Sequence, residues 1–238
     1  MPLIDPSQAY NNIADRYDTI YNNLKCNIEN SFVKKIIIKN KIDKGSVLDL
    51  GCGTGNFLDW FPDKSMNEPH TFFGVDISKR MIELAEHKFP QSNFKVGDMA
   101  DSKIYQSDMD SIVSLFGSFS YCLKPEKVIE LSYKNLKKNG NFLIMPLTPK
   151  WAYFQSKVSF SNGVASTQLL YTDHIIKKIM NGFTINKIYG FPVLLDMIAK
   201  KYHDSKFICN ILKPIDNFLS TRLTNLGAYL IIHATKKD

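Results

Sequence analysis

Three glycines and three acids, set at telling intervals, are the residues of this 238-residue chain best placed to do chemistry. The segment Val47-Leu48-Asp49-Leu50-Gly51-Cys52-Gly53-Thr54-Gly55-Asn56 reads as a short buried strand running into a tight turn. Glycines at 51, 53 and 55 free the backbone to turn and let a ligand approach where a Cβ would otherwise stand. A dinucleotide fingerprint would want its third glycine at position 56, which is Asn56. Asp49, two residues before the first glycine, repels a pyrophosphate and attracts a cation, which favours a ligand carrying an ammonium or sulfonium group. Asp76 ends the run Gly74-Val75-Asp76, where a carboxylate can accept the hydroxyls of a ribose. Asp98, in Val96-Gly97-Asp98-Met99, can take the exocyclic amine of an adenine. Any one of these acids could be a solvated strand end or a helix cap. Three of them in register with one glycine turn are hard to obtain by chance.

The elements that must position these residues alternate along the chain. Ser31 to Lys39 has helical spacing at Phe32, Val33, Ile36 and Ile37. Strands are expected at 47–50, 71–75, 94–96, 111–116 and 141–147, with helices between them. Pro125 suits a first helical turn, and Lys137-Lys138-Asn139-Gly140 reads as the stop of that helix. Such alternation means parallel βαβ units and a doubly wound sheet. The rhythm is lost after residue 150. Asn162-Gly163 suggests a hairpin turn, and Thr172 an N-cap for a helix closed by Asn181-Gly182. Late strands are expected at 183–189 and 228–235, around a helical insertion at roughly 193–221.

The order VLDLGCGTG, GVDIS, VGDMA, SIVSLFGSFSY and NLKKNGNFLIM resembles the class I S-adenosylmethionine-dependent methyltransferases, closely over about residues 10–147. The resemblance implies an α/β fold: a Rossmann-like, doubly wound, seven-stranded sheet, mostly parallel with an antiparallel last strand, and helices on both faces. It implies one domain over 1–238, with an N-terminal helical cap (1–43), a cofactor-binding core (44–147) and substrate-side insertions (148–171 and 192–222). S-adenosyl-L-methionine would be the cofactor, S-adenosyl-L-homocysteine the product, and no metal is expected. Asp49, Gly51, Cys52, Gly53 and Gly55 would surround the methionine moiety, although a small side chain that merely fits is the plainer reading of Cys52. Asp76 would hold the ribose, Asp98 and Met99 the adenine, with Ile77 and Met81 packed on it, while Leu115 would offer its carbonyl to the ammonium.

The stretch Tyr10 to Asp18 is similar to a cofactor-covering helix of small-molecule members of that family, which places Tyr17 near the methyl donor and Tyr10 in the same pocket. Tyr10, Tyr17 and Tyr21 would equally serve as the apolar stripe of an amphipathic helix. Tyr121, in the loop after the fourth strand, is the candidate to orient or deprotonate the acceptor. A phenol with a pKa of about 10 is a poor base unless its surroundings lower that value. Trp151 and Tyr171 are candidates for the substrate side. The insertion carries Lys200, Lys201, Lys206, Lys213 and Arg222 among apolar residues, as an ordinary amphipathic pair or as a lid over the acceptor.

Composition narrows the choice of partners. Lys+Arg number 30 and Asp+Glu 23, and residues 120–238 carry 17 of the former against 7 of the latter. A basic half suits an anionic substrate, a membrane surface or nucleic acid, or is simply a lysine-rich surface. The alternatives are an RNA methyltransferase, a nicotinamide-dependent oxidoreductase and a non-catalytic cofactor-binding subunit. The first lacks a compact basic-aromatic motif, the second is opposed by Asn56 and Asp49, and the third by the intact acids. The loop after the fourth strand lacks the Asn/Asp-Pro-Pro-Tyr/Phe sequence that marks methylation of planar amino groups in the family. Scattered Cys26, Cys52, Cys122 and Cys209 suggest neither zinc nor disulfides. No apolar run is long enough to span a bilayer and the first residues do not read as a signal peptide, so a cytoplasmic enzyme acting on a small molecule is expected, of unknown oligomeric state.

Overall fold

The computed structural model describes residues 5–60, 71–148, 157–160, 163–166, 172–198 and 205–237. Asp5 accepts the N–H of Ser7 at 2.8 Å and Pro6 sets the first turn of helix α1 (Pro6–Ile20). Asn23 caps α2 (Leu24–Lys39) through the N–H of Cys26. Strands β1 (Ser46–Leu50) and β2 (Thr71–Asp76) precede α3 (Lys79–Lys88), which Ser78 caps. Then come β3 (Asn93–Val96), β4 (Met109–Ser114), α4 (Pro125–Asn135) and β5 (Leu136–Ile144). A hairpin of β6 (Lys157–Phe160) and β7 (Gly163–Ser166) pairs Phe160 with Gly163; Asn162 lies outside the described residues. Helix α5 (Thr172–Gly182), β8 (Phe183–Phe191), α6 (Leu194–Ile198), α7 (Lys206–Leu219) and β9 (Tyr229–Lys236) complete the chain.

The seven-stranded sheet has the order β3-β2-β1-β4-β5-β9-β8. Its first five strands are parallel, and the last strand, β9, runs antiparallel to both β5 and β8. The chain winds outward from β1 in one direction and from β4 in the other, so their carboxyl ends open a crevice at the switch point. Alternation along the buried strands divides the core between two faces. Leu48, Leu50, Ile112, Phe142 and Ile144 meet Val128 and Ile129 of α4 and Ile175 and Ile179 of α5. On the other face Val47, Val113, Leu143 and Ile231 meet Val33 and Ile37 of α2 and Cys209 and Leu212 of α7.

Two boundaries differ from the sequence expectation. The fourth strand stops at Ser114, because Phe116 turns to a left-handed φ of 48° and Gly117 to 85°. After α4 the chain enters β5 at Leu136, which pairs with Met109 before any glycine arrives. Asn139 takes the left-handed turn (φ 60°), whereas at Gly140 a Cβ would meet the carbonyl oxygen of Lys137 at 2.9 Å. The glycine there allows close backbone approach and is no helix cap.

Candidate active site

At the end of β1 the glycine turn is built by three left-handed residues, Gly51, Gly53 and Gly55, with φ of 81°, 53° and 80°. The N–H groups of Gly51 and Cys52 bond the Val75 carbonyl, stitching the turn to β2. A Cβ on Gly51 would lie 2.4 Å from that of Ser118, whose hydroxyl donates to the Gly51 carbonyl at 3.1 Å. Asp76 accepts the N–H of Gly53 at 2.9 Å with one carboxylate oxygen and that of Ser78 at 2.8 Å with the other. Burial pushes the Asp76 carboxyl up, and these backbone donors oppose the rise. Cys52 is buried, its sulfur close under Gly74, and burial raises its thiol well above the ordinary value.

Helix α1 lies over this turn and is held by polar side chains of its own motif. Asp18 accepts from the Thr54 hydroxyl at 2.7 Å, from the Asn56 amide at 2.8 Å and from Lys88 at 3.0 Å. Partial burial opposes its charge, but these donors hold the Asp18 carboxyl below its ordinary range. Asn56, which stands where a dinucleotide site has glycine, is thus a clasp between turn and helix. Asn11 accepts from the Ser78 hydroxyl, and Asp15 pairs with Arg80 at 2.7 Å. Beneath them Ala9, Ile13 and Ala14 pack on Met81, with Tyr10, Tyr17 and Tyr121 at the margin.

The enclosed cleft has two lobes. One, of about 450 Å³, is lined by Asp76, Ile77, Met81, Asp98, Met99 and Tyr121, among others. The second, of about 480 Å³, is walled by Asp49, Cys52, Leu115 and by groups from α2 and the carboxyl edge of the sheet. Tyr10, Tyr17, Gly51, Gly53, Phe116 and Ser118 border both. Each volume suits a small-molecule site. Asp49 is buried, and one of its carboxylate oxygens finds no hydrogen-bond partner among the described residues. Burial, with the charge of Asp76 added, pushes its pKa up to about 8. An acid so placed gains most from a cationic ligand. Asp98 is exposed, with one oxygen on the N–H of Ala100 at 2.8 Å. Beside it Ile77, also in the lining of the first lobe, is 42% exposed.

The aromatic margin is continuous. The rings of Tyr10 and Tyr121 meet edge to face at 5.6 Å between centroids, Tyr10 and Tyr17 at 6.3 Å, and Tyr17 and Tyr21 at 4.7 Å. Burial raises the Tyr121 phenol to about 12, against a hydrogen bond from Tyr10 that lowers it. The environment therefore keeps Tyr121 protonated, the opposite of what a general base needs. Tyr10 and Tyr17 are also raised, chiefly by burial.

Several residues of the second lobe carried no signal in the sequence. Lys25 and Glu29 face each other one helical turn apart on α2, 3.0 Å between charges, with Glu29 buried. Trp60, Phe116 and Tyr229 form an aromatic wall, Phe116 lying 5.9 Å from Trp60 and 6.4 Å from Tyr229 between centroids. Phe116 alone of these belongs to the loop after the fourth strand, which the sequence places beside the methyl donor, and its backbone there is left-handed, with φ of 48°. Trp151 and Tyr171 lie outside the described residues. His174 is exposed with Nε2 3.0 Å from Glu126, and His233 is buried on Asn141, which places both away from the cleft lining. Among the described residues no group of three or more His, Cys, Asp or Glu side chains could hold a metal ion.

Residues 47–140 match the family model described as a methyltransferase domain. The chain is 25% identical over 193 residues to the demethylmenaquinone methyltransferase of Thermotoga maritima, spanning 76% of this chain and 82% of that protein. It is 30% identical over 240 aligned positions to an uncharacterized protein of Methanocaldococcus jannaschii, spanning 96% of this chain and 90% of that one. An S-adenosylmethionine-dependent methyltransferase from Clostridium acetobutylicum shares the fold, with a TM-score of 0.61 at 15% identity over 96% of this chain and 99% of that chain.

Proposed function

This chain belongs to the class I S-adenosylmethionine-dependent methyltransferases, and we propose that it methylates an oxygen or nitrogen of a small-molecule acceptor by in-line displacement. The observation that carries this reading is the two-lobed cleft with the buried, incompletely bonded Asp49 carboxylate near its junction. Bound S-adenosylmethionine supplies a methyl group already activated on a sulfonium. Asp49 and the Leu115 carbonyl would hold its amino-acid end, Gly51 and Gly53 would border it, Asp76 would take the ribose, and Asp98, Met99, Ile77 and Met81 the adenine, whereas Gly55 lines neither lobe and packs under the Phe89 and Phe94 rings.

The protein's own task is then alignment and exclusion of water. Trp60, Phe116 and Tyr229 offer apolar surface to an acceptor in the second lobe, and Tyr17 and Ser118 stand at the junction. Tyr121 lines the first lobe rather than the second and meets the junction through the Tyr10 ring, so its protonated phenol would donate to an acceptor from the nucleoside side. Glu29, paired with Lys25, is a second buried acid of the second lobe beside Asp49 and can receive a proton from an acceptor O–H or N–H. The name of the Thermotoga relative, whose acceptor is demethylmenaquinone, supports a small-molecule substrate here. The test is transfer of a labelled methyl group from S-adenosylmethionine to a panel of small phenols, quinols and amines. Cofactor binding with transfer only to a protein or a nucleic acid would overturn the small-molecule reading.

A further inference from the structure

Helix α7 has two apolar faces, and the fold uses one. Cys209 and Leu212 are buried against the cluster shared with α2. On its outer side Phe207, Ile211, Ile215 and Phe218 are 76%, 47%, 41% and 58% exposed. Steps of four, four and three residues align them in one stripe along the helix. Arg222 continues the line, its guanidinium carbon 3.8 Å from the centre of the Phe218 ring. Lys206 and Lys213 stand roughly 100° round the helix from the edge of the stripe, beyond the exposed Asn210 and Asn217. Ile198, at the end of the neighbouring α6, adds further exposed apolar surface.

The charges on this face select its occupant. The single acid of α7, Asp216, is buried and points inward, accepting the N–H groups of Val193, Leu194 and Leu195 at 3.1, 2.6 and 2.8 Å. The outer face is thus apolar, closed at one end by Arg222, with the lysines of α7 round its side and no carboxylate of the helix exposed. A second copy docked on this face by a twofold axis would add a second set of basic groups at its edge, Arg222 included, with no exposed carboxylate of α7 to compensate. An anionic lipid surface supplies both an acyl boundary for the phenylalanines and phosphates for the basic groups. The excess of 17 basic over 7 acidic residues in positions 120–238 extends the same sign beyond the helix.

We propose that α7 is an interfacial helix that seats the enzyme on an anionic membrane surface, with Phe207, Ile211, Ile215 and Phe218 entering the headgroup-acyl boundary. Because α7 packs on α2, which walls the second lobe through Lys25, Cys26, Glu29 and Asn30, seating brings that lobe close to the bilayer. This inference stands apart from the identity of the acceptor.

The experiment is sedimentation of the full chain with vesicles of phosphatidylglycerol and phosphatidylcholine in equal parts, and with phosphatidylcholine alone. Binding to the mixed vesicles is expected to exceed binding to neutral ones by about tenfold and to fall at high salt. Replacing both aromatic anchors, Phe207→Ser with Phe218→Ser, is expected to weaken it by about tenfold or more. The double variant should keep the wild-type melting temperature and S-adenosylhomocysteine affinity, which shows that the fold survives. Equal vesicle binding by wild type and double variant overturns the proposal. So does a wild type that ignores anionic vesicles, whether it sediments as a dimer that the double variant breaks, which would make the stripe a subunit interface, or as a monomer, which would leave an acidic protein as the occupant.

Discussion

The carboxylate of Asp76 accepts the backbone N–H of Gly53 at 2.9 Å, so the acid at the end of β2 clamps the glycine turn that ends β1. The same side chain lines the lobe assigned to the nucleoside. A single residue therefore shapes one wall of the cleft and, in the function proposed above, would hold the ribose, so its removal should be felt in binding more than in overall stability.

Asp76→Ala is expected to weaken S-adenosylmethionine and S-adenosylhomocysteine by ~1.5–3 kcal/mol, the usual worth of hydrogen bonds to a charged group. Titration calorimetry measures this directly, with NAD as the control that should show no comparable binding. A variant that binds the cofactor as tightly as the wild type would remove Asp76 from the site.

If Asp49 holds the cofactor's ammonium as proposed, ligand binding should depend on pH. The Asp49 pKa of about 8 in the folded chain lies far above that of an unfolded aspartate. Between those values the native state holds a proton that the unfolded state has lost, so this group favours the fold at low pH and its contribution fades as pH rises towards 8. A cationic ligand reverses the preference, since it favours the ionised form. Binding of S-adenosylhomocysteine should therefore release up to about one proton and tighten from pH 6 to 7.5. Calorimetry in buffers of different ionisation enthalpy counts that proton, and Asp49→Asn should abolish its release. Proton release unchanged in the variant would place the titration elsewhere.

Tyr121→Phe keeps the ring against Tyr10 and deletes the donor. With the phenol at about 12 there is no base to lose, so kcat should fall by about tenfold, short of the 10²–10⁴ that general base catalysis contributes. Because Tyr121 lines the nucleoside lobe, cofactor affinity is measured alongside, and the fall in kcat at saturating S-adenosylmethionine is the part that reports on the acceptor. An unaltered kcat for the true acceptor would make Tyr121 a wall of the pocket only.

Asp216→Ala leaves three backbone N–H groups unpaired at the start of α6, two of them on buried residues. A loss of about 3 kcal/mol is expected, read as a lower midpoint in urea unfolding at unchanged slope. Loss under about 0.5 kcal/mol would show that the loop rearranges to find other acceptors.

The basic half should bind bulk RNA only weakly, with affinity falling steeply as salt rises and vanishing near physiological ionic strength. Filter binding across a salt series checks this. Salt-resistant binding to one RNA with methyl incorporation would make RNA the acceptor.

The residues themselves set out what local rules can reach. Glycines at 51, 53 and 55 have one use, a left-handed turn after a strand, and acids spaced strand by strand announce a nucleoside site because each βα unit repeats the same geometry. The alternation of elements likewise decides a parallel sheet, since parallel strands need crossovers between them. What lies beyond those rules depends on residues far apart in the chain meeting in space. Lys25, Trp60 and Tyr229 share one lobe although nothing in their neighbourhoods marks them, and Asn56 becomes a clasp only when α1 delivers Asp18 to it. Asp216 on α7 similarly caps α6 from 21 to 23 residues away. Electrostatics followed the same division: the types of Asp49 and Tyr121 were plain, but whether each holds its proton is decided by burial, and burial belongs to the packed chain rather than to any stretch of it.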